Sequence, residues 1–234
     1  MAKTKVLTNI RAVQTAGIAQ VVFSFLNYVE NSNNSIEVVA VNIGNSKKKD
    51  YRKASGQKTS IISVGAKIPN IAEVVKGAKN IEDVKKSFEN IVSIYQKAIQ
   101  EERPDVVLIN GTYFMPWCLL LAAERENVPS VVHYHGVLSK EVKNWKKREK
   151  KIFFDMEKAF DKKNLFYIFP SKITKNVVEK EVFCRKIKNC SVLPNPVSEH
   201  FFADKNKRKN KNIGIVSRWA GIKNIKFYKK LAEY

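Results

Sequence analysis

Residues 105–110 read DVVLIN, a run that indicates the fold class. Four apolar residues in a row, Val106 to Ile109, follow shortly after Pro104 without the alternation of a half-exposed strand. A continuous run of this kind is typical of a strand buried on both faces, as in parallel sheets that helices cover on each side. The stretch therefore predicts an inner strand of such a sheet.

Similar runs recur along the chain and alternate with helical patterns. The predicted strands are 5–10, 35–44, 61–67, 130–136, 165–171 and 190–197, and the predicted helices are 17–30, 82–100 and, approximately, 116–126, 139–163 and 171–182. Residues 45–60 are charged and lack periodicity, which predicts a mobile basic loop. Because strict alternation indicates βαβ units, the predicted fold is α/β, a Rossmann-like parallel sheet with helices on both faces.

Two of the helical patterns define clear apolar stripes. In the first helix the stripe is Ile18, Val21, Val22, Phe25, Leu26 and Val29. In the helix over 82–100 it is Val84, Phe88, Ile91, Val92, Tyr95 and Ile99.

The pattern also predicts a domain boundary. Residues 1–200 hold the full set of alternating strands and helices, whereas 201–211 are polar and cationic and are typical of a linker. Residues 212–234 contain one more apolar run and the opening of a helical pattern. They predict the first βα unit of a second Rossmann-like domain, so we expect residues 1–234 to be a truncated chain or one part of a split protein.

Composition limits the partners and the compartment. The 234 residues include 43 Lys+Arg and 22 Asp+Glu, a net charge of +21, which favours nucleic acid, phosphorylated metabolites or an acidic lipid surface as partner. Three cysteines without a secretory segment predict a cytoplasmic protein, and no zinc spacing is present. The longest apolar run, 113–123, is too short to cross a bilayer, so any membrane contact would be peripheral.

The basic helix predicted over 139–163 allows two interpretations. Its apolar stripe is Val142, Trp145, Ile152, Phe153, Met156 and Phe160, and lysines crowd the remaining surface. Helices of this composition lie on anionic lipid at the inner face of a membrane. The favoured alternative is that the stripe packs on the sheet and that the lysines are solvated.

Four places qualify as ligand sites, because ligands of such sheets bind beyond the carboxyl ends of the strands. Gly17 opens the first helix, where the backbone can approach an anion. His133 and His135 point to the same side of their strand. His135, at the end of the strand, can donate a hydrogen bond to a sugar hydroxyl. We expect His133 to have a structural role. Pro194 and Pro196 favour a rigid crossing between domains.

The fourth place is the turn that contains Arg218 and Lys223. The guanidinium carries a planar fork of donors that matches phosphate, and the ammonium adds a point charge near a helix start. Together the two cations can hold a diphosphate.

In this order the segments resemble family 4 glycosyltransferases of the GT-B fold, which have two Rossmann-like domains. The matching segments are TAGIAQVV (15–22), RPDVVLIN (103–110), NVPSVVHYHG (127–136), FPSKITKNVV (169–178), VLPNPV (192–197) and IVSRWAGIKN (215–224). Departures are Ala16 beside Gly17, and Ser217 and Asn224, where the family often has glycine.

The resemblance implies a retaining transfer of sugar from a nucleotide-activated donor to a hydroxyl acceptor, without a required metal or other cofactor. Arg218 and Lys223 would neutralise the leaving diphosphate, His135 would contact the transferred sugar, and Gly17 would let its loop approach the donor. The acceptor would be a glycan, a lipid-linked molecule or a small molecule. The family's paired glutamates would lie beyond residue 234, so we expect this chain alone to have little activity.

Two alternatives stay open. The first is a non-catalytic acceptor-binding or membrane-binding half of a split enzyme that works only with a separate partner chain. The second is a basic module that binds nucleic acid through 45–60 and the basic helix, and it is disfavoured because no recognisable reading motif is present.

Overall fold

The computed structural model describes residues 3–10, 17–44, 51–54, 56–142 and 145–196. In this part of the chain eight strands form one sheet: β1 (Thr4–Ile10), β2 (Ile36–Gly44), β3 (Tyr51–Ala54), β4 (Thr59–Gly65), β5 (Val106–Asn110), β6 (Ser130–His133), β7 (Phe166–Phe169) and β8 (Cys190–Val192). Their order is β3-β4-β2-β1-β5-β6-β7-β8, and every neighbouring pair is parallel except β3 and β4. The predicted Rossmann-like α/β class is confirmed.

The strand DVVLIN is β5, and it lies in the middle of the sheet between β1 and β6. Val107 and Ile109 are fully buried on one face, and Val106 and Leu108 are half-buried on the other. Burial of each such side chain stabilises the fold by roughly 1.5–3 kcal/mol. Apolar side chains on both faces, rather than on one, hold this strand inside the domain.

Helices cover both faces of the sheet. The helix α1 (Gly17–Asn31) packs Val22, Leu26 and Val29 against β1 and β2 on one face. On the other face lie α2 (Ile71–Gly77), α3 (Ile81–Ser87), α4 (Glu89–Glu102), α5 (Phe114–Arg125), α6 (Leu138–Glu141) and α7 (Lys147–Lys158), followed by α8 (Lys172–Val177) and a π-helical turn (Val178–Val182). The predicted stripe of α1 is correct except for Ile18, which is exposed while Ala19 is buried in its place.

The single helix predicted over 82–100 is wrong, because the chain breaks at Phe88 between α3 and α4. Phe88 leaves helical geometry, with φ −107° and ψ 9°, and its own side chain is fully buried. All six residues of the predicted stripe are nevertheless buried. The break keeps the apolar side chains of both helices on the sheet, and the period alone did not reveal it.

The long basic helix predicted over 139–163 is also wrong, since the structure has the short α6 and then α7. The Glu157 carboxylate accepts hydrogen bonds from the backbone N–H groups of Leu138 and Ser139, both at 2.9 Å, and so fixes the start of α6 against α7. Ile152, Phe153, Met156 and Phe160 are buried in the core, and Trp145 packs against it. The packing interpretation of the stripe is confirmed, and these side chains are not available to lipid.

The predicted basic loop over 45–60 contains an edge strand, which is a further correction. Residues 51–54 form β3 and pair antiparallel with β4, in the register Tyr51↔Ser63 to Ala54↔Ser60. Main-chain hydrogen bonds make this pairing, so it needs no apolar periodicity in the sequence. The remaining residues 45–50 and 55 lie outside the described ranges.

The described residues end at Pro196. The predicted linker over 201–211 and the predicted second-domain unit over 212–234 therefore lie outside them, and these boundaries stay predictions.

Candidate functional site

The direction of chain progression through the sheet reverses between β1 and β5. From β1 the chain proceeds outward through β2 and β4, and from β5 it proceeds the other way through β6, β7 and β8. The loops beyond the carboxyl ends of such strands diverge at the reversal and leave a crevice, which is the usual ligand site of this architecture.

The floor of the crevice is a network of buried amides. The Asn9 side chain donates through Nδ2 to the Asn110 carbonyl oxygen at 3.2 Å and accepts through Oδ1 from the Asn110 N–H at 2.8 Å. The Asn110 Nδ2 donates to Thr8 Oγ1 at 2.7 Å. These bonds continue the β1–β5 pairing past its last registered pair, Thr8↔Leu108. They fix the two strand ends relative to each other.

The start of α1 lies against the loop after β5. Gly111 has φ +91°, a conformation that favours glycine. A Cβ at this position would lie 3.5 Å from Cγ of Pro116 and 3.8 Å from Cδ1 of Ile18. Because Gly17 is the first residue of α1 and the neighbour of Ile18, the structure brings the predicted glycine to this edge of the sheet.

The two histidine rings of the HYHG segment pack against each other in a tilted arrangement. Their ring centroids are 4.3 Å apart with the planes at 47°, so both side chains lie on the same side, as predicted. His133, the last residue of β6, is buried, and His135 is half-buried two residues beyond the strand. His133 Nε2 and both ring nitrogens of His135 have no hydrogen-bond partner among the described residues. Buried polar atoms are normally paired, so these nitrogens suit a ligand or water.

Both imidazoles are neutral at pH 7. Burial lowers the pKa of His133. Burial and, to a smaller extent, the neighbouring His133 lower the pKa of His135 from 6.5 to about 4. A neutral imidazole has one donor and one acceptor nitrogen, which matches a hydroxyl group better than an anion.

Two acidic residues lie against the loop after His135. A Cβ on Gly136 would meet the Glu141 carboxylate, the end of a flexible side chain that can move aside. Glu157 is fully buried beneath the loop, and burial raises the pKa of its carboxyl group. Its two backbone hydrogen bonds to Leu138 and Ser139 fix the chain just beyond the histidine.

Of the predicted site residues, the structure places Gly17 and His135 at the same edge of the sheet. Arg218 and Lys223 lie outside the described residues, so their positions stay predictions. Pro194 and Pro196 follow β8 as exposed residues. The sequence reasoning missed Asn9, Asn110 and Glu157; an asparagine that ends an apolar strand was the available signal for the first two.

Between residues 3 and 196, leaving aside the undescribed gaps, no three His, Cys, Asp or Glu side chains group in a way that could hold a metal ion. None of the helices described is both long and apolar enough to span a membrane.

Comparisons with solved structures identify the fold. Sucrose-phosphate synthase from Thermosynechococcus elongatus matches with a TM-score of 0.61 at 8% identity, over 82% of this chain and 48% of its own. The Medicago truncatula protein UGT71G1, in complex with UDP-glucose, matches with a TM-score of 0.55 at 9% identity, over 81% of this chain and 51% of its own. UDP-GlcNAc 2-epimerase from Neisseria meningitidis, bound to UDP-GlcNAc, matches with a TM-score of 0.51 at 15% identity, over 81% of this chain and 45% of its own. The chain thus spans about half the length of these proteins.

The described residues have the fold of one Rossmann-like domain of a GT-B glycosyltransferase, and the sequence assigns the family. The model of Glycosyltransferase Family 4 matches residues 15–201, which is most of the chain. This chain belongs to Glycosyltransferase Family 4. A comparison with curated protein sequences finds no significant match.

Proposed function

We propose that this protein transfers a sugar from a nucleotide-activated donor to a hydroxyl acceptor, with retention of the anomeric configuration and without a metal ion. Membership of Glycosyltransferase Family 4 over residues 15–201 carries the proposal. The position of His135 beyond the carboxyl end of β6, at the same edge of the sheet as the start of α1, supports it. The solved neighbours carry different names, a synthase and an epimerase among them, so the fold by itself does not choose the reaction.

In this proposal the neutral His135 holds a hydroxyl group of the transferred sugar. Its unpaired nitrogens and its lowered pKa suit that role, because an uncharged ring exchanges hydrogen bonds with a hydroxyl at little desolvation cost. The open backbone at Gly17 lets the donor approach the first helix. His133 keeps the ring of His135 in place.

Arg218 and Lys223 neutralise the leaving diphosphate. The bond between the anomeric carbon and the diphosphate oxygen breaks, its electron pair stays on that oxygen, and the acceptor oxygen forms the new bond while its proton is released. Negative charge therefore builds on the diphosphate in the transition state, where fixed cations lower the barrier most.

Two further parts of the proposal concern the chain and its compartment. Residues 1–234 by themselves transfer little sugar. The match to only about half the length of each of these solved structures supports this part of the proposal. The protein works in the cytoplasm, with any contact to a membrane confined to the inner face. All three cysteines are free, as is usual in a reducing compartment.

The experiment is a binding measurement that does not require turnover. The chain is titrated with UDP-glucose, UDP-GlcNAc and UDP, and contacts are read by saturation-transfer NMR. We expect at least one nucleotide sugar to bind, and the Arg218→Ala, Lys223→Ala double variant to lose that binding. A folded chain, checked by circular dichroism, that binds none of a wider panel of nucleotide sugars would contradict the proposal.

A further inference from the structure

A cavity of about 870 Å³ lies between α2 and the start of α7. Its lining residues are Ala72, Lys76, Trp145, Lys146, Arg148 and Glu149. Ligand sites for small molecules typically have volumes of roughly 300–1,000 Å³, so this space is large enough for a phosphorylated sugar. None of the residues that line the cavity belongs to the loop that follows His135.

Three cations and one carboxylate face this cavity. The Arg148 guanidinium donates a hydrogen bond to the Lys76 carbonyl oxygen, which holds it between the two helices. The Glu149 side chain is 5% exposed and accepts from the Lys146 N–H at 2.9 Å, so its oxygen is engaged with the backbone. A guanidinium held in position beside two ammonium groups matches a phosphate, which Arg binds through two parallel donors.

The N-terminus of α7 adds to this preference. The helix is 12 residues long and begins at Lys147, between two of the cationic residues of the lining. The first backbone N–H groups of a helix and its dipole favour an anion at this end. Side-chain charge and helix geometry therefore select the same kind of ligand.

A chain of aromatic contacts through the buried Phe153 links Trp145, at the cavity, to the loop beyond β5. The half-buried ring of Trp145 packs edge-on against Phe153 at 4.9 Å, and Phe153 stacks on Tyr113 at 5.9 Å. Tyr113 belongs to the loop that leaves the carboxyl end of β5. In addition, α2 follows β4 and α7 follows β6 in the chain, so both walls belong to connections that leave the same edge of the sheet as His135.

We infer that this cavity binds the phosphate-bearing part of the acceptor. The identification of the ligand as the acceptor rests on the proposed function. The binding of an anion rests on the cavity itself. The ligand is a phosphate or diphosphate ester whose sugar or alcohol portion lies along Trp145, and its hydroxyl end extends to the crevice. A lipid headgroup and a soluble sugar phosphate share this chemistry.

The test is direct binding of inorganic pyrophosphate to the full chain, measured by calorimetry and by tryptophan fluorescence. Trp145 is the partly exposed indole near the cavity, and Trp117 is buried. The third tryptophan, Trp219, follows the proposed donor-site residue Arg218, so it is replaced by Phe in every protein compared. We expect the emission to change on binding and the change to vanish in Trp145→Phe. The Lys146→Ala, Arg148→Ala variant should bind at least tenfold more weakly.

The matched control removes two charges outside the lining. Lys79 and Lys150 are exposed and do not line the cavity. Their double alanine variant should bind pyrophosphate within twofold of the parent chain. Equal weakening in this control and in the cavity variant would overturn the inference, because the general positive charge would then explain the binding; so would a folded parent chain that binds no pyrophosphate.

Two further arms separate the donor site and the ligand sources. The Arg218→Ala, Lys223→Ala variant should keep the Trp145 signal, so a failed donor site and a failed cavity give different results. Vesicles of phosphatidylglycerol with phosphatidylcholine, compared with phosphatidylcholine alone, probe the lipid source. Binding to the anionic vesicles that the cavity variant loses supports a lipid headgroup, and pyrophosphate binding without vesicle binding supports a soluble phosphate ester.

Discussion

The rings of His133 and His135 lie 4.3 Å apart beyond the carboxyl end of β6, although neither ring donates a hydrogen bond to the other. Two buried imidazoles this close cannot both be charged without a large cost. The pair therefore stays neutral over the physiological pH range, and its nitrogens remain available to a ligand.

The stability of the domain should fall as the pH drops from 6.5 to about 4. The pKa of His135 is lowered to about 4 in the folded state, so the unfolded chain binds more protons in this window. The free energy of unfolding should decrease by about 2–3 kcal/mol because of this group. Urea unfolding at pH 7, 6, 5 and 4 measures the decrease, and His135→Asn should show a smaller one. An equal decrease in both proteins would show that the loss of stability does not come from His135.

Replacement of His133 by Asn should raise the pKa of His135. The positive charge that His133 gains when it is protonated at low pH is the second cause of the lowered pKa, after burial, so the pKa should move only part of the way toward 6.5. NMR titration of the His135 Cε1–H resonance gives the value. A pKa that does not move would mean that burial alone sets it.

The backbone conformation at Gly111 should make Gly111→Ala destabilising by about 1–3 kcal/mol. The cause is its φ of +91°, since the space around a new Cβ is ordinary van der Waals contact. Gly77→Ala is the control, because Gly77 has no neighbour within 4 Å of an added Cβ and no positive φ. Thermal or urea unfolding compares the two variants, and equal effects would contradict the conformational explanation.

Loss of the Glu157 carboxylate should loosen the loop after His135. Glu157→Ala leaves the N–H groups of Leu138 and Ser139 without their acceptor and should cost about 2–4 kcal/mol of stability. Glu157→Gln retains one good acceptor and should cost less. Glu101→Gln, on an exposed part of α4, should change stability by less than about 0.5 kcal/mol. Hydrogen exchange at Leu138 and Ser139 should accelerate in the Glu157 variants only.

The sequence predicted the central sheet well because burial on two faces leaves a continuous apolar run, as in DVVLIN. It also predicted that His133 and His135 lie on the same side, although β6 ends at His133 and His135 lies two residues beyond it. It missed the break at Phe88, because an apolar stripe continues across a kink when both helices pack on one sheet. It missed β3 because main-chain bonds, without a side-chain pattern, join an edge strand to its neighbour. The hydrogen bonds of Asn9 with Asn110 connect residues 101 apart, which no local pattern reveals.

The proposed roles of His135 and of the two cations differ in a way that binding can measure. His135→Ala should weaken the binding of an intact nucleotide sugar about tenfold or more, because it removes a partner of the sugar, and should leave the binding of UDP alone unchanged. Arg218→Ala with Lys223→Ala should weaken the binding of both ligands to a similar extent, because both contain the diphosphate. Calorimetry with UDP-glucose or UDP-GlcNAc and with UDP gives the four affinities. If His135→Ala weakened UDP as much as the nucleotide sugar, the histidine would act on the diphosphate or on the fold, and its assignment to the sugar would be wrong.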